Sequence, residues 1–388
     1  MNIKELSEKY EEYIIERRRY YHMHPELSGK EAETCKSMIE DVKALGITDI
    51  KEMSSCHGFT AVIKGGRPGR TLALRADMDA LPIKEETGLP FASVNDDVMH
   101  ACGHDAHMAI LLGAAKILMD IKEDLCGNVK LICQPSEEYP VGAKSMVAEG
   151  AMDGVDAIYG THVWGSVPSG CFDFTSGNRM ASGDIVEITV DGVAAHGSAP
   201  NLGKDAITGA AAIVSSLQQV VSRHNDPLNP MVITLGTIKG GSRFNVIANH
   251  VFMDGTTRSF LKGTAIEDLM RPVIEKTAEA MGVDVKFDYI YMTPPVINDN
   301  EDLNEIARNA VKKLYGENAL CSTPPTMGGE DFSIYENKAP GVFGLIGTID
   351  EEKGLIYTNH HEKFTVDESV LAKGAAVMAQ FAADYLSR

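Results

Sequence analysis

Metal-binding and acidic side chains occur at the ends of several predicted strands and just before one predicted helix. They are Asp77 and Asp79 after LALRA, Glu137 and Glu138 after LICQPS, His162 after AIYG, and Cys102 and His104 ahead of a helix. Ligand sites in open α/β sheets lie outside the carboxyl ends of the strands. We therefore expect these scattered side chains to meet at one edge of a sheet.

The residue types at these positions match the requirements of a hydrolytic metal site. Thiolate, imidazole and carboxylate groups are suitable ligands for Zn²⁺ or Mn²⁺. In a turn, Cys102 and His104 can both point to one spot. Of the adjacent Glu137 and Glu138, one can bind metal while the other acts as general base. Two divalent ions about 3.5–4 Å apart would activate a water molecule and polarise a scissile carbonyl.

Each of these features also has a structural interpretation when it is taken alone. The Glu137–Glu138 pair is typical of a solvated loop, and His162 on an apolar strand is typical of a buried core histidine. Asp77 and Asp79 would cap the following segment. His22 and His24 form an H-x-H pattern at the end of a predicted helix, and we interpret that pattern as structural.

Short apolar runs alternate with helical stretches along both ends of the chain, which predicts an α/β fold with a mostly parallel sheet. The predicted strands are FTAVIKG, RTLALRAD, NVKLICQP, DAIYGTHVW and PGVFGLIGT, and the predicted helices include Ala106 to Met119, Ala143 to Glu149 and Glu368 to Leu386. Ser28 and Glu31 have the S-x-x-E spacing of a capping box, and Gly46 is placed to end the helix that follows.

The middle of the chain has a different order of elements. From Gly183 to Thr293 the pattern reads strand, helix, strand, strand, helix, strand, which is the ferredoxin-like α+β arrangement. We expect an inserted domain at residues 182–294, with hinges near Ser182 and Pro294–Pro295. Residues 1–181 and 295–388 would then form the metal-binding catalytic domain.

Composition excludes some classes of function. The formal net charge is −19, which disfavours binding to nucleic acids and to acidic membranes. The N-terminal segment lacks the apolar core of a signal peptide, so we expect a cytoplasmic protein. The seven cysteines are scattered without a CxxC pair, which argues against a disulfide framework.

Seven ordered segments resemble one family of enzymes. They are RADMDALPI, MHACGHDAHMA, QPSEE, THVW, AAHGSAP, GGEDF and NHHEKF. In this order they are similar to the aminoacylase and carboxypeptidase-like dinuclear metallohydrolases, and most of all to the branch with hippurate hydrolases, N-acyl-amino-acid amidohydrolases and auxin-conjugate hydrolases. The resemblance extends from about Tyr21 to Gln380. It implies a catalytic domain that carries a smaller inserted lid and dimerisation domain.

The resemblance also implies roles for single residues. The metal ligands would be Cys102, His104, Glu138, His162 and His360. Glu137 would be the base that activates water, and Asp79 would orient a metal-bound imidazole. His360 is preferred to His361 because the family pattern has an aromatic residue four positions after the ligand, as Phe364 is here.

In the inserted domain, His196 matches a histidine that stabilises the oxyanion, either in its own subunit or in that of a dimer partner. Asn245 and Arg258 match residues that hold the carboxylate end of the substrate, although Arg258 has an alternative interpretation as an ordinary salt-bridge partner. A homodimer through the inserted domain is expected from the same resemblance. A carboxylate-binding role is consistent with charge, because an anionic substrate needs donors in an acidic protein.

The resulting hypothesis is an enzyme with two divalent metal ions per subunit, Mn or Zn, with Co or Ni as possible substitutes. It would hydrolyse the amide bond of small N-acylated amino acids or short peptides to a carboxylic acid and a free amino acid. The alternatives are a dipeptidase, an N-acetyl-diaminopimelate deacetylase, or a non-catalytic binding protein on the same fold. No G-x-S-x-G or HExxH segment is present, which disfavours two other hydrolase classes.

Overall fold

The computed structural model describes residues 2–388 of the chain. These residues form two compact units. The first comprises the chain up to Arg179 together with Ile297–Pro324 and Asp331–Arg388, and the second comprises Met180–Val296 and Pro325–Glu330.

The strands and helices are numbered along the chain. The strands are β1 Asp49–Glu52, β2 Phe59–Lys64, β3 Arg67–Asp77, β4 Cys126–Gln134, β5 Ala157–Pro168, β6 Phe172–Asp173, β7 Gly177–Met180, β8 Gly183–Asp191, β9 Met231–Gly240, β10 His250–Ser259, β11 Asp284–Thr293, β12 Val296–Asn298 and β13 Gly341–Ile349. The helices are α1 Ile3–Lys9, α2 Glu11–Met23, α3 Ala32–Ala44, α4 His104–Ile121, α5 Gly142–Ala148, α6 Ala206–Gln219, α7 Ala265–Met281, α8 Glu301–Tyr315, α9 Ser333–Glu336 and α10 Leu371–Leu386.

The first unit is built on a sheet with the strand order β1-β2-β4-β3-β5-β13-β6. The four central strands β4, β3, β5 and β13 are parallel, whereas β1, β2 and β6 pair in antiparallel fashion at the two edges. The α/β prediction is therefore confirmed, and the parallel part is the centre of a mixed sheet. β13 is buried almost throughout, because helices cover the faces of a parallel sheet.

Helix α4 is the central helix of this unit, and fourteen of its residues are buried. Its apolar side chains, among them Ile110, Leu111 and Ile117, join α10 and the sheet strands in one hydrophobic core. The helix begins at His104, two residues before the predicted start. Gly103 precedes it with φ of 95°, a conformation that glycine adopts readily. This core fixes the start of α4 at the carboxyl edge of the sheet.

The predicted capping box before α3 is wrong. Glu31 is the residue before the helix, but its side chain makes no capping hydrogen bond. The Glu31 carboxylate instead accepts the backbone N–H of Ser136, and the Ser28 hydroxyl donates to Asp79. The S-x-x-E spacing is compatible with both arrangements, and long-range partners outcompete the local cap. Gly46 ends the segment with φ of 85°, as predicted.

The second unit has the predicted order of strand, helix, strand, strand, helix and strand. Its sheet runs β11-β8-β10-β9 with antiparallel pairing throughout, which is the ferredoxin-like arrangement. Helices α6 and α7 share a core with the sheet, formed by side chains such as Val186, Ile213 and Ile274. Strand β9 lies at the edge of the sheet.

Two further expectations concern the whole described chain. All seven cysteines are free. Among residues 2–388, none of the helices combines the length and the apolar character that crossing a bilayer requires.

Candidate metal centre

Cys102 lies at the centre of a cluster in the first unit. Its Sγ is 3.3 Å from Nε2 of His162 and 3.3 Å from Nε2 of His360. The Nε2 of His360 is also 3.3 Å from Oε1 of Glu138. The potential ligand atoms of Cys102, His104 and His162 all lie within 4.8 Å of one another. The structure thus brings the five ligands proposed from the sequence into one place.

Hydrogen bonds fix which ring nitrogen of each buried histidine faces the cluster. His104 Nδ1 lies 2.9 Å from the carbonyl oxygen of Asp79, and His162 Nδ1 lies 2.7 Å from that of Val163. A carbonyl oxygen can only accept, so each Nδ1 carries a proton and each Nε2 is the ring nitrogen that faces the cluster. Such partners orient metal-binding imidazoles and raise their basicity.

Asp79 connects the two sides of the cluster. Its carboxylate lies 3.3 Å from His104 Nδ1 and accepts the backbone N–H groups of Glu137 and Glu138 at 3.0 Å each. Glu137, the proposed base, and Glu138 are therefore aimed by the same carboxylate that faces His104. A second group of potential ligand atoms, all within 4.8 Å of one another, is formed by His104, Glu137 and Glu138.

A group of buried charged side chains packs next to the cluster, with His107 against His162. Asp77 bonds His107 Nδ1 at 2.5 Å and Arg75 at 2.5 Å, and Arg75 reaches Asp331 at 2.9 Å. His107 Nε2 accepts the backbone N–H of Val163 at 2.9 Å, next to His162 in β5. All of these side chains are buried, which makes their paired geometry rigid. Asp77 thus acts as a structural partner of His107.

The electrostatics of the cluster favour a cation. Burial together with Glu138 and Glu137 raises the pKa of the Cys102 thiol well above its usual range. Burial lowers the pKa of His104, but Asp77 and Asp79 outweigh it and raise that pKa to about 10. Nearby carboxylates in a buried place contribute to both shifts. A bound divalent cation offsets this negative charge and deprotonates a coordinating thiol.

His360 is held in an unusual conformation. Its φ is 71°, and its backbone N–H donates to the carbonyl of Ala101 at 2.8 Å. The preceding Asn359 donates from its amide to the carbonyls of Cys102 at 2.9 Å and Val163 at 3.1 Å. A non-glycine residue in the left-handed region persists where its surroundings hold it, and such residues cluster at functional sites.

Two buried polar atoms without a hydrogen bond among the described residues indicate that metal ions fit this cluster. Nε2 of His104 and Oε1 of Glu138 are buried and form no hydrogen bond with any of residues 2–388. An unpaired buried polar atom is costly, and a metal ion would satisfy both. The donors fit two divalent ions, which Cys102, His104, Glu138, His162 and His360 would hold.

Sequence reasoning missed two of the residues that shape this centre. His107 follows His104 by three positions on α4, so both rings lie on one helix face, and that spacing is the signal that identifies it. Asn359 carries no comparable pattern, because its partners Cys102 and Val163 are brought to it only by the fold. His22 of the H-x-H pattern is buried against Asp105 at 2.8 Å and belongs to none of the potential ligand groups among the described residues.

The remaining predicted site residues belong to the second unit. His196 Nδ1 accepts the backbone N–H of Ser198 at 3.1 Å, which leaves its Nε2 as the protonated nitrogen. The carbonyl of Asn245 accepts from Gly197 at 2.8 Å, and Oδ1 of Asn245 is buried without a hydrogen bond from the described residues. His196 and Asn245 thus lie on adjoining segments.

Arg258 lies in β10 of the second unit. Its guanidinium donates to Oγ1 of Thr256 at 2.9 Å and to the carbonyl of Thr257 at 3.2 Å. Both acceptors are neutral, so the positive charge of Arg258 is not neutralised by these two contacts. Such an arrangement leaves the guanidinium able to bind an anion.

A thiolate, three imidazoles and carboxylates around one spot, at the carboxyl edge of an α/β sheet, define a metal-dependent hydrolase. The chain belongs to peptidase family M20/M25/M40, whose model matches residues 73–384.

Individual relatives cover nearly the whole chain. The chain is 39% identical over 385 residues to thermostable carboxypeptidase 1 of Saccharolobus solfataricus, covering 97% of this chain and 96% of that one. It is 38% identical over 373 residues to the N-acetylcysteine deacetylase of Bacillus subtilis, covering 95% and 96%. A solved Bacillus subtilis dinuclear metal-binding peptidase of the M20 family is similar with a TM-score of 0.86 and 34% identity, covering 98% and 99%. The chain is therefore a metal-dependent hydrolase of the amidohydrolase and metallopeptidase type.

Proposed function

We propose that the protein hydrolyses the amide bond of N-acyl amino acids and releases a carboxylic acid and a free amino acid. The observation that carries this proposal is the position of Glu137, whose backbone is fixed by Asp79 beside the proposed ligands His104 and Glu138. The relatives include a deacetylase and a carboxypeptidase, so amide hydrolysis is common to both names and the substrate class differs between them.

In this proposal Glu137 is the proton carrier. It takes a proton from the attacking water and delivers it to the leaving nitrogen, so that no covalent acyl-enzyme forms. Two divalent cations, when bound, supply the Lewis acidity that polarises the carbonyl and lowers the pKa of water. Cys102, His104, Glu138, His162 and His360 hold their ligand atoms in place before substrate arrives, through the hydrogen bonds described above.

The second unit contributes binding groups in this proposal. His196 presents a protonated Nε2, which is the donor that a developing oxyanion needs. Arg258 and Asn245 bind the carboxylate of the amino-acid portion, since Arg258 makes the two neutral contacts described and Asn245 has a buried polar atom to satisfy. These roles are supported by the chemistry of each residue within its own unit.

Two further parts of the proposal concern the metal and the assembly. A thiolate is a soft ligand, so Cys102 favours zinc. The family branch indicated by the sequence favours manganese. A homodimer through the second unit is supported by β9, an edge strand with exposed Val232 and Ile238. Light scattering of the purified protein tests the dimer by its mass.

The decisive experiment is a substrate panel with each metal. Metal-free protein is loaded with Mn²⁺, Zn²⁺, Co²⁺ or Ni²⁺ and given N-acetyl, N-benzoyl and indole-acetyl amino acids, dipeptides and N-acetyl-diaminopimelate. The proposal expects the highest kcat/KM on an N-acyl amino acid. A higher kcat/KM on dipeptides would replace it with a peptidase, and a protein that purifies without stoichiometric metal and stays inactive would be a binding protein.

A further inference from the structure

The short segment before α3 reaches the loop that carries the proposed base. Oε1 of Glu31 accepts the backbone N–H of Ser136 at 2.8 Å and lies 3.1 Å from its hydroxyl oxygen. The same oxygen accepts the N–H of Gly29 at 2.9 Å, which ties Glu31 to its own segment. Ser28 donates from its hydroxyl to Oδ2 of Asp79 at 2.6 Å. Neither side chain caps α3, so these long-range contacts need another explanation.

Three successive backbone N–H groups are thereby held by two carboxylates. The N–H of Ser136 donates to Glu31, and those of Glu137 and Glu138 donate to Asp79. Successive N–H groups of a turn that converge on one anion, as those of Glu137 and Glu138 do on Asp79, form an anion-binding concavity. The direction of the Glu137 and Glu138 side chains follows directly from this turn.

The turn is not one that the chain would adopt by itself. Ser136 has φ of 53°, in the left-handed region that a non-glycine residue rarely occupies. Gly142 packs so closely beneath it that an added Cβ would lie 1.7 Å from the carbonyl oxygen of Pro135. A conformation of this kind persists only when neighbouring groups determine it, and Glu31 is the carboxylate that contacts Ser136.

Burial of the Glu31 carboxylate has a free-energy cost. Its side chain is fully buried, and Oε2 accepts no hydrogen bond from the described residues. A buried carboxylate with an unsatisfied oxygen destabilises a fold, so a role in stability alone does not explain it. A role in aiming the catalytic loop does.

We propose that Glu31 is a positioning residue for the hydrolytic centre, with Ser28 in a supporting role through Asp79. Glu31 lies outside the proposed ligand set, and it acts by fixing Ser136 so that Glu137 and Glu138 point into the cluster. The effect on turnover rests on the proposed function, whereas the effect on metal affinity rests only on Glu138 being a ligand.

Glu26 provides a matched control on the same segment. Its carboxylate accepts the backbone N–H of Thr34 at 2.7 Å and the Thr34 hydroxyl at 2.8 Å, so it stabilises the first turn of α3. Removing either carboxylate loosens the region before α3. Only the removal of Glu31 also frees Ser136.

The experiment compares Glu31→Ala, Glu31→Gln and Glu26→Ala. Metal affinity is measured by titrating each metal-free protein with Mn²⁺ or Zn²⁺ against a chelating dye, and kcat and KM are measured at saturating metal. Glu31→Ala should bind metal about 10–100-fold more weakly, the range for loss of a group that supports a ligand. Its kcat should fall by about 100-fold with little change in KM, because a misplacement near 1 Å has that effect. Glu31→Gln keeps an acceptor oxygen for Ser136 and should recover most of both losses.

Several outcomes would overturn the proposal. It fails if Glu31→Ala keeps the metal affinity and kcat of the unmodified protein, if Glu26→Ala loses as much of either, or if Glu31→Gln recovers nothing. Should Glu31→Ala not fold, Glu31→Asp takes its place, because it keeps the charge but withdraws the acceptor from Ser136 and should show the same losses. If the unmodified protein cleaves no N-acyl amino acid, the proposed function fails, and the metal titration still decides the role of Glu31.

Discussion

The Sγ of Cys102 and the Nε2 of His360 lie 3.3 Å apart, although 258 positions separate the two residues in the chain. Asn359 closes this distance by donating to the carbonyl of Cys102 at 2.9 Å. The loop between β13 and α10 is therefore fastened to the turn that begins α4. This contact distinguishes His360 from its neighbour His361, whose ring stacks on Tyr357 with centroids 4.3 Å apart.

The two neighbouring histidines should respond differently to substitution. His360→Ala should weaken metal binding by more than about 100-fold, since even the loss of a group that only supports a ligand costs 10–100-fold. His361→Ala should leave metal affinity within about twofold, because its ring stacks on Tyr357 and belongs to none of the potential ligand groups of the described chain. Titration of each metal-free variant measures both. Equal losses in the two variants would contradict the assignment of His360.

The two neighbouring glutamates should separate metal binding from chemistry. Glu137→Gln keeps the side-chain shape but removes the base, so kcat should fall by about 10²–10⁴-fold with metal content unchanged. Glu138→Gln should lose metal, because its Oε1 lies 3.3 Å from His360 Nε2 within the ligand group. Elemental analysis and steady-state kinetics on the same preparations test this. Full turnover in Glu137→Gln would remove Glu137 from the mechanism.

Much of the fold could be predicted from the sequence because its signals are local. Alternating apolar runs gave the central strands, and the order of elements in residues 183–293 gave the ferredoxin-like unit. The contacts of Glu31 could not be predicted, because its partner Ser136 is 105 positions away. A carboxylate three residues after a serine has the same spacing whether it caps its own helix or binds a distant loop. Burial decides between the two, and burial is a property of the folded chain.

Two pairs of the proposed site residues also have a local signal in the sequence, whereas His360 is assigned from the family resemblance. Cys102 and His104 flank a glycine just before a helix, and Glu137 and Glu138 follow a strand, so each pair is a local pattern at a predicted sheet edge. The buried partners Arg75 and Asp331 have no such pattern. They are adjacent only because β3 and the segment before α9 meet in the core.

Substitution of Gly103 should destabilise the protein for two reasons that can be tested separately. Its φ is 95°, and an added Cβ would lie 2.3 Å from Cγ2 of Val163. Gly103→Ala should therefore destabilise the protein by about 1–2 kcal/mol from the backbone conformation and by a further 1–3 kcal/mol, roughly, from overpacking. Metal affinity should fall as well, because Cys102 and His104 flank this position.

Gly88 is the control that isolates the backbone effect. Its φ is 70°, and an added Cβ would meet nothing within 4 Å. Gly88→Ala should lower the free energy of unfolding by about 1–2 kcal/mol and leave metal affinity unchanged. Chemical denaturation of both variants measures the difference. If Gly103→Ala were no less stable than Gly88→Ala, the close approach of Val163 would not matter.

Asp367 should make the stability of the first unit depend on pH in the acidic range. Burial raises its pKa, but hydrogen bonds from Lys353 at 2.7 Å, from Ser169 at 2.5 Å and from the N–H of Ser369 at 3.0 Å outweigh burial and lower that pKa to about 2. A lowered carboxyl pKa stabilises the fold above the unfolded value of 3.8. The contribution is lost as the pH falls from about 4 towards 2.

The matching experiment compares the unmodified protein with Asp367→Asn at several pH values. Above about pH 5 the unmodified protein should be the more stable, and the difference in free energy of unfolding should shrink as the pH falls below 4, because protonated Asp367 resembles asparagine. Lys353→Met removes one partner and should reproduce part of the same pH dependence. The side chain of Lys353 is about half exposed, so added salt should weaken its share while leaving that of Ser169 intact. A stability difference that stayed constant from pH 7 to 3 would show that the charge of Asp367 contributes nothing.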